Sequence, residues 1–136
     1  MTTDILLKPQ QLYKEYMSLI MKHDTLKTSL ERTVAVISLA PGHGQGVSRR
    51  LEEMEAEILD LEKIIDLKNE ELMDAQAEVR AFISQLDDSF GRQMLEMRFV
   101  DLMTLKEISE EKHFSIQYCW RKIQDAAEQL QKVNKG

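Results

Sequence analysis

The chain has 136 residues, of which 43% are hydrophobic, with only two prolines and five glycines. This composition predicts a folded, mostly helical protein rather than a disordered one, with one small domain or a small domain and an extension. No apolar run reaches about 18 residues, the N-terminus lacks the pattern of a secretory signal, and one cysteine cannot form an internal disulfide. We therefore expect an all-α protein of the cytoplasm with no membrane span.

The first predicted helix runs from Lys8 to about Ile37. Its apolar positions alternate spacings of three and four residues, which is the pattern of a heptad seam. His23 and Thr33 interrupt that seam, and His23 is either a half-exposed seam residue or a polar position that sets the register. The seam consists of Leu12, Tyr16, Leu19, His23, Leu26, Leu30, Thr33 and Ile37.

A loop is predicted from Ala40 to Gly46, where one proline and three glycines interrupt the helix. The glycines superficially suggest a phosphate-binding loop. No strand precedes them, however, and no Lys-Ser or Lys-Thr pair follows, so we interpret the segment as a hairpin turn.

The second predicted helix spans Ser48 to Leu86, with Ser48 as its N-cap. It again alternates spacings of three and four, and only Lys68 interrupts the apolar seam, which is typical of a coiled coil. The seam consists of Leu51, Met54, Ile58, Leu61, Ile65, Lys68, Leu72, Ala75, Val79, Phe82 and Leu86.

The two seams match when the helices are paired antiparallel about the loop, with Ile37 beside Leu51 and Leu12 beside Ala75. A hairpin of two helices buries few side chains, so we expect it to self-associate into a homodimer. The end of the second helix extends past its partner and needs another surface, either the C-terminal segment or a second chain. Its apolar residues there are Val79, Phe82, Ile83 and Leu86.

The C-terminal third predicts two helices joined by a tight turn. A further helix is expected before these two. It follows the linker that starts at Asp87, and Ser89 is its candidate N-cap. Thr104 and Glu107 form a capping box at the start of the first helix, and Ser115 is the expected N-cap of the second. The second helix has one apolar stripe, made of Cys119, Ile123, Ala126, Ala127 and Leu130. This arrangement is that of a helix-turn-helix.

At these residues the chain resembles region 4 of bacterial sigma-70 factors. As a whole it resembles small regulators of Gram-positive phages, of the RinA and ArpU type. The resemblance implies a helical hairpin for dimerisation or interaction over residues 1–88, and a DNA-binding helix-turn-helix over residues 89–136. It also implies activation of late or packaging genes and a possible contact with host RNA polymerase. The matching segments are Leu95–Val100, Leu105–Ser109, Phe114–Ser115, Ala126–Ala127 and Leu130.

The second helix of the motif is the candidate recognition helix for double-stranded DNA. Gln117 can pair with adenine and Arg121 with guanine, because both side chains can make two hydrogen bonds in the major groove. By the resemblance, positions 116, 117, 120 and 121 face the bases. Trp120 is equally well explained by packing against a neighbouring helix. The full candidate set is Lys106, Lys112, Ser115, Ile116, Gln117, Tyr118, Trp120, Arg121, Lys122 and Gln124.

The distribution of charge bears on this hypothesis. Residues 89–136 hold eight Lys and Arg against seven Asp and Glu, a net charge of +1, while residues 1–88 carry −7. Because phosphate contacts supply much of the affinity for DNA, a near-neutral module binds weakly by itself. It must dimerise or gain affinity from a partner already on DNA. The alternative is a coiled-coil adaptor whose motif packs against a protein, which Ile116 and Trp120 favour.

The sequence predicts neither catalysis nor a cofactor. His23, His43 and His113 lie far apart and lack the spacing of metal ligands, and the single cysteine has no CxxC partner. We expect Cys119 to be a small buried residue of the helix stripe rather than a reactive thiol.

Overall fold

A computed structural model describes residues 2–39 and 45–135, with side chains over residues 4–39 and 48–133. Within these residues the chain is helical and has no strand, which confirms the predicted all-α class. The long antiparallel hairpin and the shorter C-terminal helices are as expected. The helices are α1 Thr2–Leu39, α2 Gln45–Ile83, α3 Ser89–Leu95, α4 Leu105–Lys112 and α5 Ile116–Lys135, with a π-helical segment Glu96–Val100 directly after α3.

Helix α1 begins earlier than the predicted Lys8 and continues through Pro9. A proline inside a helix removes one backbone donor and disfavours the helical conformation of the residue before it. The helix persists because Leu6 is buried in a hydrophobic core and Pro9 is itself fully buried. Burial of these side chains offsets the local cost of the proline.

Helix α2 also differs from the prediction at both ends. It begins at Gln45, so Ser48 lies inside the first turns and is not the N-cap. It ends at Ile83, where the backbone tightens: Leu86 N–H donates to the carbonyl of Ile83 at 3.0 Å. Leu86 is nevertheless buried in the core, as its place in the seam predicted. Residues 40–44 of the predicted loop lie outside the described residues.

Two compact units divide the chain, residues 14–70 and residues 1–13 with 71–136. In the first, α1 and α2 run antiparallel, and Lys68 Nζ contacts Glu15 Oε2 at 3.3 Å. Among the described side chains of this unit only Ile58, Leu61 and Ile65 are buried, and all three belong to α2. The α1 side of the seam is only half-buried within one chain.

His23 lies on that seam with its side chain 19% exposed. Its Nε2 is 3.5 Å from Glu62 Oε1, yet this buried nitrogen makes no hydrogen bond. Its Nδ1 lies 3.9 Å from Asp24 Oδ1. The side chain is therefore a partly buried seam residue, and a role in setting the register stays a prediction.

The second unit contains the main hydrophobic core. Its base is the end of α2, where Val79, Phe82 and Ile83 pack with α3, the π-helical segment, α4 and α5. This settles where the apolar end of α2 goes: it packs on the C-terminal helices, one of the two predicted surfaces. Leu12, Leu72 and Ala75 form a smaller cluster in the same unit, with Leu12 beside Ala75 as expected.

The units do not coincide with a division at residue 88, because the end of α2 shares its core with the C-terminal helices. The functional division into an interaction region and a DNA-binding region stays a prediction. None of the described helices is both long and apolar enough to cross a membrane.

The link from α2 to α3 is fixed by hydrogen bonds. Arg92 Nη1 donates to the carbonyls of Leu86 and Asp87, the latter at 3.1 Å. Asp88 takes the N-cap position of α3 without a side-chain cap bond, so Ser89 is the first helical residue and not the cap. Further on, Gln76 Nε2 donates to the carbonyl of Val100 at 2.9 Å, which satisfies an acceptor at the end of the π-helical segment.

Candidate nucleic-acid interface

The start of α4 has the predicted capping box. The Glu107 backbone N–H donates to Thr104 Oγ1 at 3.1 Å, and the Thr104 backbone N–H donates to Glu107 Oε1 at 3.0 Å. The hydrogen bond from the Thr104 backbone, with a second contribution from its side chain, lowers the pKa of Glu107 below its usual value. The box fixes where the first helix of the motif begins.

The turn between α4 and α5 depends on residues that a simple apolar pattern does not reveal. His113 adopts the left-handed conformation with φ 61°, and the Phe114 N–H donates to the carbonyl of Ser109 at 3.2 Å. The Ser109 hydroxyl donates in turn to the carbonyl of Phe114. Ser115 then accepts a hydrogen bond from the Tyr118 N–H at 3.1 Å, which confirms it as the N-cap of α5.

Helix α5 is held by its apolar stripe. Cys119 and Leu130 are fully buried, Ile123 and Ala126 are nearly so, and Ala127 lies at the edge of the core. Gly91 of α3 allows the two helices to approach closely, since a Cβ at Gly91 would lie 3.3 Å from the Cβ of Ala126. The buried stripe determines which face of α5 remains free.

The free face carries the residues predicted to read bases. Gln117, Arg121 and Gln124 are all exposed. Because successive residues of an α-helix are rotated by 100°, these three side chains lie about half a turn around the helix axis from Cys119 and Ala126 of the buried stripe. Ile116 and Trp120 are 49% and 53% exposed, so Trp120 is not buried against a neighbouring helix.

The remaining candidates differ in their exposure and in the contacts that they already make. Lys106 and Ser115 are exposed. Lys112 is half-buried, and its Nζ donates to Gln93 Oε1 at 3.0 Å. Lys122 is also half-buried, with its Nζ 5.6 Å from the centre of the Tyr118 ring. A phosphate contact by Lys112 would therefore compete with, or add to, its bond to Gln93.

An aromatic cluster supports the turn, and the apolar spacing of the sequence does not predict it. The rings of Phe114 and Tyr118 lie 4.7 Å apart, and Phe90 meets Phe114 edge-to-face at 6.0 Å. Residues 114 and 118 are only four positions apart in the sequence, which is a usable signal for part of it. The contribution of Phe90 depends on tertiary packing. Tyr118 thus already contacts Phe114 and Lys122 within the chain, so its position does not depend on DNA.

Acidic side chains limit the part of α5 that is suited to bind nucleic acid. Residues 112–124 contain Lys112, Arg121 and Lys122 and no Asp or Glu. Asp125 and Glu128 follow and are exposed. Because acidic side chains repel phosphate, the first two to three turns of α5 are the part suited to nucleic acid.

One protein family matches residues 42–131, which covers α2 through most of α5. Its description is "Protein of unknown function (DUF1492)". The chain belongs to the DUF1492 family. No curated protein and no solved structure matches it.

All ten candidate residues, from Lys106 to Gln124, lie inside the DUF1492 match. The match also includes the end of α2 that packs in the C-terminal core, whereas α1 lies outside it. The DUF1492 region thus contains both the candidate interface and most of the residues that support it.

Proposed function

We propose that this protein is a sequence-specific DNA-binding transcription regulator of phage origin. In this proposal α4 and α5 form the helix-turn-helix, and α5 lies in the major groove with Gln117 and Arg121 toward the bases. It acts in the cytoplasm of the bacterial host and activates late or packaging genes. A contact with host RNA polymerase belongs to the same hypothesis, which rests on the resemblance to sigma region 4.

One observation carries the proposal: Gln117 and Arg121 are exposed near the start of α5, on the face opposite its buried stripe. Side chains at the start of a recognition helix are the ones that reach base edges. Had they been buried, α5 could not have read DNA. The absence of acidic residues from 112 to 124 supports the same assignment.

The proposal includes a homodimer formed through the hairpin. Among the described side chains of residues 14–70 only three are buried, so one chain leaves most of its seam half-covered. Two-helix units of this kind gain stability by association. Sedimentation equilibrium should give twice the chain mass of 15.8 kDa, and a folded monomer at micromolar concentration would contradict this part.

A second candidate is an adaptor in which the hairpin and the start of α5 bind proteins. It is favoured by the two large apolar side chains that the face exposes, Ile116 and Trp120. It is also favoured by the small net charge of residues 89–136, which weakens binding to DNA by one copy.

Selection of duplexes from a randomised pool by the full-length chain separates the two candidates. The regulator should enrich a defined motif and bind it more tightly than an unrelated duplex. Its affinity should fall with salt, with a slope of about −0.9 for each phosphate contacted. No enrichment, together with equal binding to all duplexes, would contradict the proposed function.

A further inference from the structure

The start of α5 exposes apolar surface that a DNA-binding face does not need for phosphate contacts. Phe114 and Tyr118 are partly exposed, but they contact each other in the aromatic cluster. Ile116 and Trp120 remain about half exposed. They are four residues apart, so they form one ridge along the helix, and Gln117 with Arg121 forms the adjacent ridge.

The major groove offers one apolar group to such a ridge, the C5-methyl of thymine. An A·T pair also presents the N6 and N7 of adenine, which a glutamine can contact with two hydrogen bonds. An aliphatic and an aromatic side chain beside Gln117 therefore complement an A·T pair in both its polar and its apolar parts.

The charges around the ridge favour DNA as its occupant. The ridge lies within residues 112–124, which carry three Lys and Arg and no Asp or Glu. Lys106 is exposed at the first turn of α4. An apolar patch in a segment without acidic side chains suits a polyanion that displays methyl groups.

We propose that Ile116 and Trp120 read thymine by contact with its methyl groups, next to Gln117 on adenine, so that the target contains A·T pairs under the start of α5. This inference rests on the proposed function and specifies the bases that the site takes. Ile116 and Trp120 are then specificity residues rather than surface available to a protein partner.

The test replaces thymine by uracil in the selected duplex, one position at a time. Uracil keeps the base pairing and removes only the methyl group. Removal of a contacted methyl should lower the affinity about fourfold, which corresponds to the free energy of burying one carbon. Because the protein is unchanged, its folding does not enter the result.

Two variants assign the contact to the ridge. Ile116→Ala and Trp120→Ala should lose the preference for thymine over uracil at the positions that each contacts. Val133→Ala is the matched control, since Val133 is also exposed on α5 but lies near its C-terminal end. The control should keep the wild-type preference, and thermal unfolding should show that all three variants fold.

The outcomes are distinguishable. Equal affinity for thymine and uracil at every position, with a selected motif still bound, overturns the inference and leaves the proposed function intact. Such a result, with DNA binding unchanged in Trp120→Ala, would also exclude the ridge from the DNA contact. Failure to bind any duplex overturns both.

Discussion

Gly91 permits the close approach of α3 and α5, and a substitution there tests whether the packing of these two helices depends on that approach. A Cβ at residue 91 would lie 2.9 Å from Asp88 Oδ2, 3.2 Å from Leu86 Cδ2 and 3.3 Å from the Cβ of Ala126. The Asp88 carboxylate can rotate away. The Leu86 side chain is buried, and the Cβ of Ala126 moves only with the backbone of α5. Gly91→Ala should therefore strain the packing of these helices.

The magnitude follows from two opposing effects. Overpacking a core costs about 1–3 kcal/mol, while alanine gains up to about 1 kcal/mol over glycine in a helix. Gly91→Ala should then lower the free energy of unfolding by about 1 kcal/mol. Ala126→Gly removes the facing Cβ, so the double variant should be more stable than the sum of the single changes predicts, with a coupling of about 1 kcal/mol.

The free energy of unfolding is measured by urea denaturation, followed by circular dichroism, for the wild type, the two single variants and the double variant. If the two substitutions are additive within about 0.3 kcal/mol, residues 91 and 126 do not compete for the same space and the reasoning is refuted.

Three further predictions concern local interactions. Because hydrogen bonds from Thr104 lower the pKa of Glu107 in the folded chain, Glu107→Ala should be less stable than the wild type at neutral pH. The difference should shrink as the pH falls below 4.5 and through the lowered pKa, and a difference independent of pH in denaturation curves would contradict this. His23→Leu should raise the thermal midpoint by on the order of 4 °C, because it removes from the seam a buried ring nitrogen that makes no hydrogen bond. A lower midpoint would instead assign His23 a specific role in pairing. Cys119 is fully buried, so Cys119→Ser should cost about 1–3 kcal/mol in urea denaturation, whereas equal stability would show that the added hydroxyl finds a partner.

The sequence was sufficient for features that depend on local spacing. The alternation of three and four residues identified both long helices and placed Leu12 beside Ala75. The capping box at Thr104 and the cap at Ser115 were also correct, because both require only residues a few positions apart. The exposure of Gln117 and Arg121 followed from the stripe on the other side of α5.

Other features depend on contacts between distant segments, which periodicity does not encode. Helix α1 tolerates Pro9 because Leu6 and Pro9 are buried, and α2 starts before Ser48 although Ser48 is a good cap residue. The Ser109 hydroxyl supports the turn between α4 and α5 by donating a hydrogen bond to the carbonyl of Phe114. The bonds from Gln76 to Val100 and from Lys112 to Gln93 join segments far apart in sequence.

The central claim is that the exposed face at the start of α5 contacts DNA bases, and a matched pair of variants tests it most directly. Arg121→Ala and Lys132→Ala each remove one positive charge from an exposed side chain of α5, and only Arg121 lies near its start. On the selected duplex, measured by gel shift, Arg121→Ala should weaken binding by about 10-fold or more, the worth of one bidentate base contact, with relaxed preference at one base pair. Lys132→Ala should change affinity far less. Equal effects of the two substitutions, or no effect of Arg121→Ala, would contradict the account.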